Sequence, residues 1–113
     1  MIFTNAGKAI MLDAISNVTA SLHTADPGAA GTLNEVSGGG YARKGITFAA
    51  ATSGNRNATT LPTFDVPAGT TITHAAFWSG TTFIATGTLA IPEAYGGNGK
   101  YTLTDADLTL LDS

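Results

Sequence analysis

Apolar and polar residues alternate along most of this chain with a period near two, and the exception lies at the N-terminus. In residues 5–16, NAGKAIMLDAIS, the residues Ile10, Met11, Ala14 and Ile15 fall on one helical face. This predicts a short helix over 5–16, with Thr4 or Asn5 capping its first free amides and Gly7 weakening it. Asn17 breaks the pattern. Val18, Ala20 and Leu22 then alternate with Thr19, Ser21 and His23, the signature of a half-buried strand. Asp26-Pro27-Gly28 turns the chain. A second strand is predicted from Tyr41 to Ala49, with a bulge at Gly45, before a turn at Ser53-Gly54-Asn55. Leu61, Phe64 and Val66 form a short extended piece between Pro62 and Pro67, which favours an edge strand.

The second half repeats the theme. Residues 71–79 alternate around Ile72, Ala76 and Trp78, with Phe77 on the opposite face, so both faces of this strand are expected to be covered. Gly80-Thr81 makes a tight turn, and 82–91 returns as the second strand of a hairpin. A loop, EAYGGNGK, follows at 93–100, and Asn98-Gly99 is a strong turn dipeptide. Tyr101 and Leu103 open a last extended region that Leu108, Leu110 and Leu111 close, with Asp105 and Asp107 between. Short strands at regular spacing predict a mainly β, single-domain chain over 1–113. The expected architecture is an antiparallel β-sandwich or jelly roll with one short N-terminal helix.

Composition narrows the function. The chain has 113 residues, enough for one modest core. It has no cysteine, so neither disulfides nor thiolate metal sites hold it together. Charged residues are 12%, about half the usual share, so Thr, Ser, Asn and Gly must supply the polar surface. Such neutral faces suit contact with other proteins. A net charge of -3 with scattered basic residues argues against nucleic acid as a partner. No run approaches the ~18 apolar residues of a membrane span, and the N-terminus lacks the apolar core of a signal peptide. The chain is expected to be made in the cytoplasm and used from Met1.

Several residues invite a chemical reading. Ser21, His23 and Asp26 hint at a triad, but Ser21 and His23 on one strand stand about 7 Å apart at Cα, and folded geometry defines a triad. They read instead as a solvent-facing strand edge entering a turn. His74 lies between Ile72 and Ala76 on an apolar face. It is expected to be hydrogen-bonded inside the sheet or at a subunit contact rather than to share a metal with His23. SGGGYARK at 37–44 lacks the Gly-Lys-Ser/Thr ending of a phosphate loop, so its glycines point to positive φ or close backbone approach. Asp105, Asp107 and Asp112 lack calcium-loop spacing and read as turn residues. No catalytic, metal or cofactor site is expected. A small hydrolase would require His23 or His74 in a polar pocket.

The runs SLHTADPG, NEVSGGGYAR and ITFAAAT, then ITHAAFW, ATGTLAIP and LTDADLTL, resemble a family of small structural proteins of tailed bacteriophages. The resemblance covers nearly the whole chain and is most specific over 21–43. Members carry labels such as tail fibre or generic virion protein, and their sandwich-like fold is similar to that of capsid decoration proteins. The resemblance implies a virion structural protein, not an enzyme. The leading expectation is a capsid decoration (cement) protein on the outer capsid surface. It would be a homo-oligomer, a trimer at local three-fold points, bridging copies of the major capsid protein. The residue 25–40 loop would then be a contact arm, with Asn34, Glu35, Tyr41 and Arg43 making specific contacts. The alternative is a minor tail, fibre or baseplate protein that binds tail proteins or a host receptor, with Tyr95 as a contact aromatic.

Overall fold

The computed structural model describes residues 2–103 and 108–109. The chain is mainly β, with antiparallel strands and one short helix. Helix α1 spans Asn5–Asp13, and the Thr4 hydroxyl accepts the Gly7 amide at 3.1 Å as its N-cap. The predicted end at 16 is three residues too late. Ser16 and Asn17 are taken by the entry into the sheet instead. The Ser79 hydroxyl donates to the Ser16 carbonyl at 2.6 Å, the Gly80 amide donates to the Asn17 carbonyl at 3.1 Å, and Asn17 adopts φ 52°.

The main sheet has the order β2-β1-β5-β6, all antiparallel, built from β1 (Val18–His23), β2 (Lys44–Gly45), β5 (Thr70–Ser79) and β6 (Thr82–Tyr95). Two small sheets accompany it. In one, β4 (Thr63–Val66) pairs with β7 (Gly99–Thr102). In the other, β3 (Asn55–Arg56) pairs with β8 (Leu108–Thr109). Val18, Ala20 and Leu22 on one face of β1 meet Phe64 and Val66 of β4, Ile72 and Ala75 of β5, and Val36, Ile46 and Leu103. The main sheet and the β4–β7 pair thus enclose one apolar core between two layers, as the alternation predicts.

Three boundaries depart from the sequence pattern. The strand expected over 41–49 shrinks to Lys44–Gly45, because Tyr41 turns back with its amide on the Gly38 carbonyl. Beyond Ile46 the chain pairs with 57–59 instead, through Thr47, Phe48 and Ala49. The hairpin strand expected to end at Ile91 continues to Tyr95, which shortens the loop expected at 93–100. Glu93, Ala94 and Tyr95 face Ile72, Thr71 and Thr70, and the register slips between His74 and Ile72. The slip falls where Pro92 lacks an amide to pair, so the strand bulges and then resumes. Leu110 and Leu111 lie outside the described residues.

Candidate functional site

The other face of the main sheet carries Ser21, His23 and Trp78, and the long connection from β1 to β2 covers it. That connection is tightly tied. The Asp26 carboxylate accepts the Gly28 amide at 2.9 Å, the Leu33 amide donates to the Pro27 carbonyl at 3.0 Å, and the Asn34 side-chain amide donates to the Asp26 carbonyl at 3.0 Å. Gly31 packs so close to Phe83 that an added Cβ would lie 2.5 Å from the ring. Glu35 and Val36 then pair with the end of β1, through the His23–Glu35 bridge and a 2.9 Å bond from the Val36 amide to the Leu22 carbonyl.

Residues 37–40 leave the edge of β1 before Lys44 rejoins it. Gly38, Gly39 and Gly40 all have positive φ, and Gly39 lies so near Pro67 that a Cβ would stand 2.7 Å from it. The detour would strand the Leu22 amide, but the Tyr41 hydroxyl accepts it at 2.9 Å. Tyr41 in turn donates to Glu35 Oε2 at 2.8 Å, and Arg43 grips the same carboxylate with two bonds at 3.0 and 2.8 Å. The Arg43 guanidinium stacks over Trp78, 4.1 Å from the ring centroid. Two ends of one loop are thereby clamped to each other and to the sheet. Burial alone would raise the Glu35 carboxyl, but the bonds from Arg43 and Tyr41 outweigh it and hold the carboxyl below its ordinary value. Burial pushes the Tyr41 hydroxyl upward, so it stays protonated and remains a donor to Glu35. The hydrogen bond to Glu35 raises Arg43.

Beneath the clamp runs a buried relay. Trp78 Nε1 donates to Ser21 Oγ at 3.0 Å, Ser21 Oγ meets His23 Nε2 at 2.8 Å, and His23 Nδ1 meets the Leu33 carbonyl at 2.7 Å. A carbonyl only accepts, so His23 Nδ1 carries a proton and donates it to the Leu33 carbonyl, and Nε2 of the neutral ring accepts a hydrogen bond from the Ser21 hydroxyl. Ser21 and His23 are both 0% exposed, which corrects the expectation of a solvent-facing edge. The covering loop, invisible to strand periodicity, makes the difference. The pair's oxygen and nitrogens are occupied in tying Trp78 to the loop, a structural task. His74 sits opposite His23 in the ladder and bonds the Thr73 hydroxyl at 2.7 Å, within the sheet.

Four of the five sequence candidates, Asn34, Glu35, Tyr41 and Arg43, come together in and beside this clamp. Tyr95 does not: it ends β6, lies against Gly99, and donates to the Lys100 carbonyl at 3.0 Å. Sequence reasoning missed Trp78 as the platform under Arg43. The signal was present, since a Trp in a two-sided strand needs a partner for its indole N–H and Ser21 was available on the neighbouring strand. Among the described residues no group of three His, Asp or Glu side chains is placed to hold a metal ion. Asp105, Asp107 and Asp112 lie outside the described residues. No helix among the described residues is long and apolar enough to cross a membrane.

The chain is thus a small, weakly charged, mainly β protein whose polar side chains fasten one loop to the sheet. The family described as podophage GP4 fiber I protein gp80 matches residues 6–110, and the chain belongs to that family. It is a structural protein of the tailed-phage virion, from a family labelled as fibre, in agreement with the resemblance seen in its sequence. Neither a curated protein nor a solved structure matches the chain.

Proposed function

We propose that this chain is a fibre component of the phage tail, contacting tail proteins or a host receptor through the clamped 24–43 loop. The carrying observation is the family match over residues 6–110, a family of phage fibre proteins. The loop supports the reading in physical terms. A long connection that is already hydrogen-bonded to the sheet loses little freedom on binding, so its contacts convert efficiently into affinity. Its outer rim, including Ala29, Ala30, Thr32 and Asn34, is exposed and uncharged, which suits a neutral protein surface. Tyr95, near the 96–98 turn, is a second contact in this reading.

The head-decoration reading, with trimers bridging the major capsid protein on the outer capsid surface, shares the fold but takes second place because the family description names a fibre. Copy number separates the two. Quantitative mass spectrometry of purified virions, scaled to the major capsid protein, is expected to give a few copies per hundred capsid subunits. A ratio near one to one overturns the tail assignment in favour of decoration.

A further inference from the structure

The main sheet has two edges, and only one of them is guarded. At one edge β2 is two residues long and carries Lys44, features that keep an edge from pairing with another chain. At the opposite edge β6 runs for 14 residues, Thr82–Tyr95. Among the described residues no strand lies beyond it. No Asp, Glu, Lys or Arg stands between Asp65 and Glu93, so β6 is uncharged as far as Pro92. Its middle is open. Thr86, Gly87 and Thr88 are exposed, and a Cβ added at Gly87 would meet nothing within 4 Å. The outward amides and carbonyls of such an edge are matched by another extended backbone.

The order of residues along β6 says which backbone. Phe83-Ile84-Ala85-Thr86-Gly87-Thr88-Leu89-Ala90-Ile91 reads the same by class in both directions: three apolar residues, Thr, Gly, Thr, three apolar residues. Two antiparallel copies centred on Gly87 set Thr86 against Thr88 and Ala85 against Leu89, each pair twice, with Gly87 meeting itself on the two-fold axis. Opposed residues share a face, so threonine meets threonine on one face and apolar meets apolar on the other. A slip of one residue would set Thr86 against Leu89, or Thr88 against Ala85. The backbone suits this pairing, because Ala85–Thr88 follow β5 without a slip and the irregularities of β6 lie to either side. No charge within the stretch repels its copy. Once two β6 edges have met, only the guarded β2 edges remain, so assembly closes at two chains. We infer that two copies of this chain pair through β6, antiparallel and centred on Gly87, to make one continuous sheet across a two-fold axis. This pairing does not depend on where on the virion the chain sits.

Sedimentation equilibrium of the full chain tests it, with Gly87→Asp and Gly87→Lys as variants. Gly87 has open space at its Cβ and is not among the glycines of positive φ, so both variants are expected to melt no lower than wild type. The wild-type chain is expected at twice its monomer mass. Each variant alone sets like charges face to face on the axis and is expected to weaken the dimer about tenfold or more. An equimolar mixture of the two sets opposite charges face to face and is expected to regain it, which only a partner carrying the same position can do. Gly96→Asp, at a similarly open glycine just past β6, is expected to stay dimeric. Amide hydrogen exchange of the wild type adds a readout free of substitution, with protection at 85–89 expected to rise with protein concentration; if a variant melts low, this measurement decides. A wild-type chain that is monomeric at every concentration overturns the pairing. So does an oligomer that both variants leave intact, a mixture that does not restore the dimer, or exchange at 85–89 that is independent of concentration.

Discussion

Replacing Ser21 with Ala removes one oxygen and strands two buried polar atoms. Trp78 Nε1–H loses its acceptor, and His23 Nε2 loses the hydroxyl that donates to it. Ser21 and His23 are 0% exposed and Trp78 is 5% exposed, so bulk water does not replace the lost partner. The gap left by one oxygen is close to the minimum that admits a water, which would also need several polar neighbours. Each unsatisfied buried group costs about 1–3 kcal/mol, so the pair together costs about 2–6 kcal/mol. That exceeds the ~1 kcal/mol expected for losing a single ordinary hydrogen bond, and it is a large part of the 5–15 kcal/mol typical of a domain. Urea unfolding followed by Trp78 fluorescence measures it, with the midpoint expected to fall and the slope to stay unchanged. The melting temperature should fall with it. A loss under 0.5 kcal/mol would mean that the relay is not closed as described, or that the loop lets water reach Ser21, and would refute the reasoning.

Gly31→Ala is expected to destabilise by about 2–4 kcal/mol, since φ is 74° and the new Cβ would meet Phe83 at 2.5 Å. Gly38→Ala, with positive φ but open space around it, should cost only about 1 kcal/mol in the same unfolding assay. Acid should expose the clamp. Because the Glu35 carboxyl is held below its unfolded value of 4.5, its contribution is complete above that pH and is lost as pH falls through the lower folded-state value. Unfolding curves between pH 6 and pH 3 should therefore be flatter for Glu35→Gln than for the wild type, and the variant should lose about 1 kcal/mol at neutral pH, a modest figure because the pair is partly solvated. Arg56 donates to the Leu12 carbonyl at 3.0 Å and the Ile15 carbonyl at 2.6 Å. Arg56→Ala should cost about 1.5–3 kcal/mol, and hydrogen exchange should show the amides of α1 losing protection before those of β1 and β5.

The elements that periodicity revealed are those whose burial is decided by their own sequence. In β1, Val18, Ala20 and Leu22 alternate with Thr19, Ser21 and His23, and the strand forms at 18–23 as read. The run around Ile72 and Trp78 became the longest partner of β1, and Phe77 joins the core on the face opposite Trp78, as its placement in the pattern implies. The helix was legible in type but not in its end, because Ser16 and Asn17 are bound by Ser79 and Gly80, which lie far along the chain. The candidate residues Glu35, Tyr41 and Arg43 were singled out as interface contacts, and the structure brings the three together. Their spacing did not reveal that they bind one another, since the three glycines between Ser37 and Tyr41 fold the chain back on itself.

Local sequence thus determined the β class, the places of β1, β5 and the hairpin strand β6, and the virion family that the runs at 21–43 and 72–91 resemble. Those properties follow from side-chain alternation, turn residues and composition, which act over a few positions. Tertiary structure alone decided that the second face of the sheet is buried, that Ser21 and His23 serve Trp78 and the loop, and that α1 turns Lys8 inward and Ile10 outward. Each of these depends on contacts between segments 10 to 60 residues apart. No pattern along the chain records them, because the free energy that selects them exists only once the segments have met.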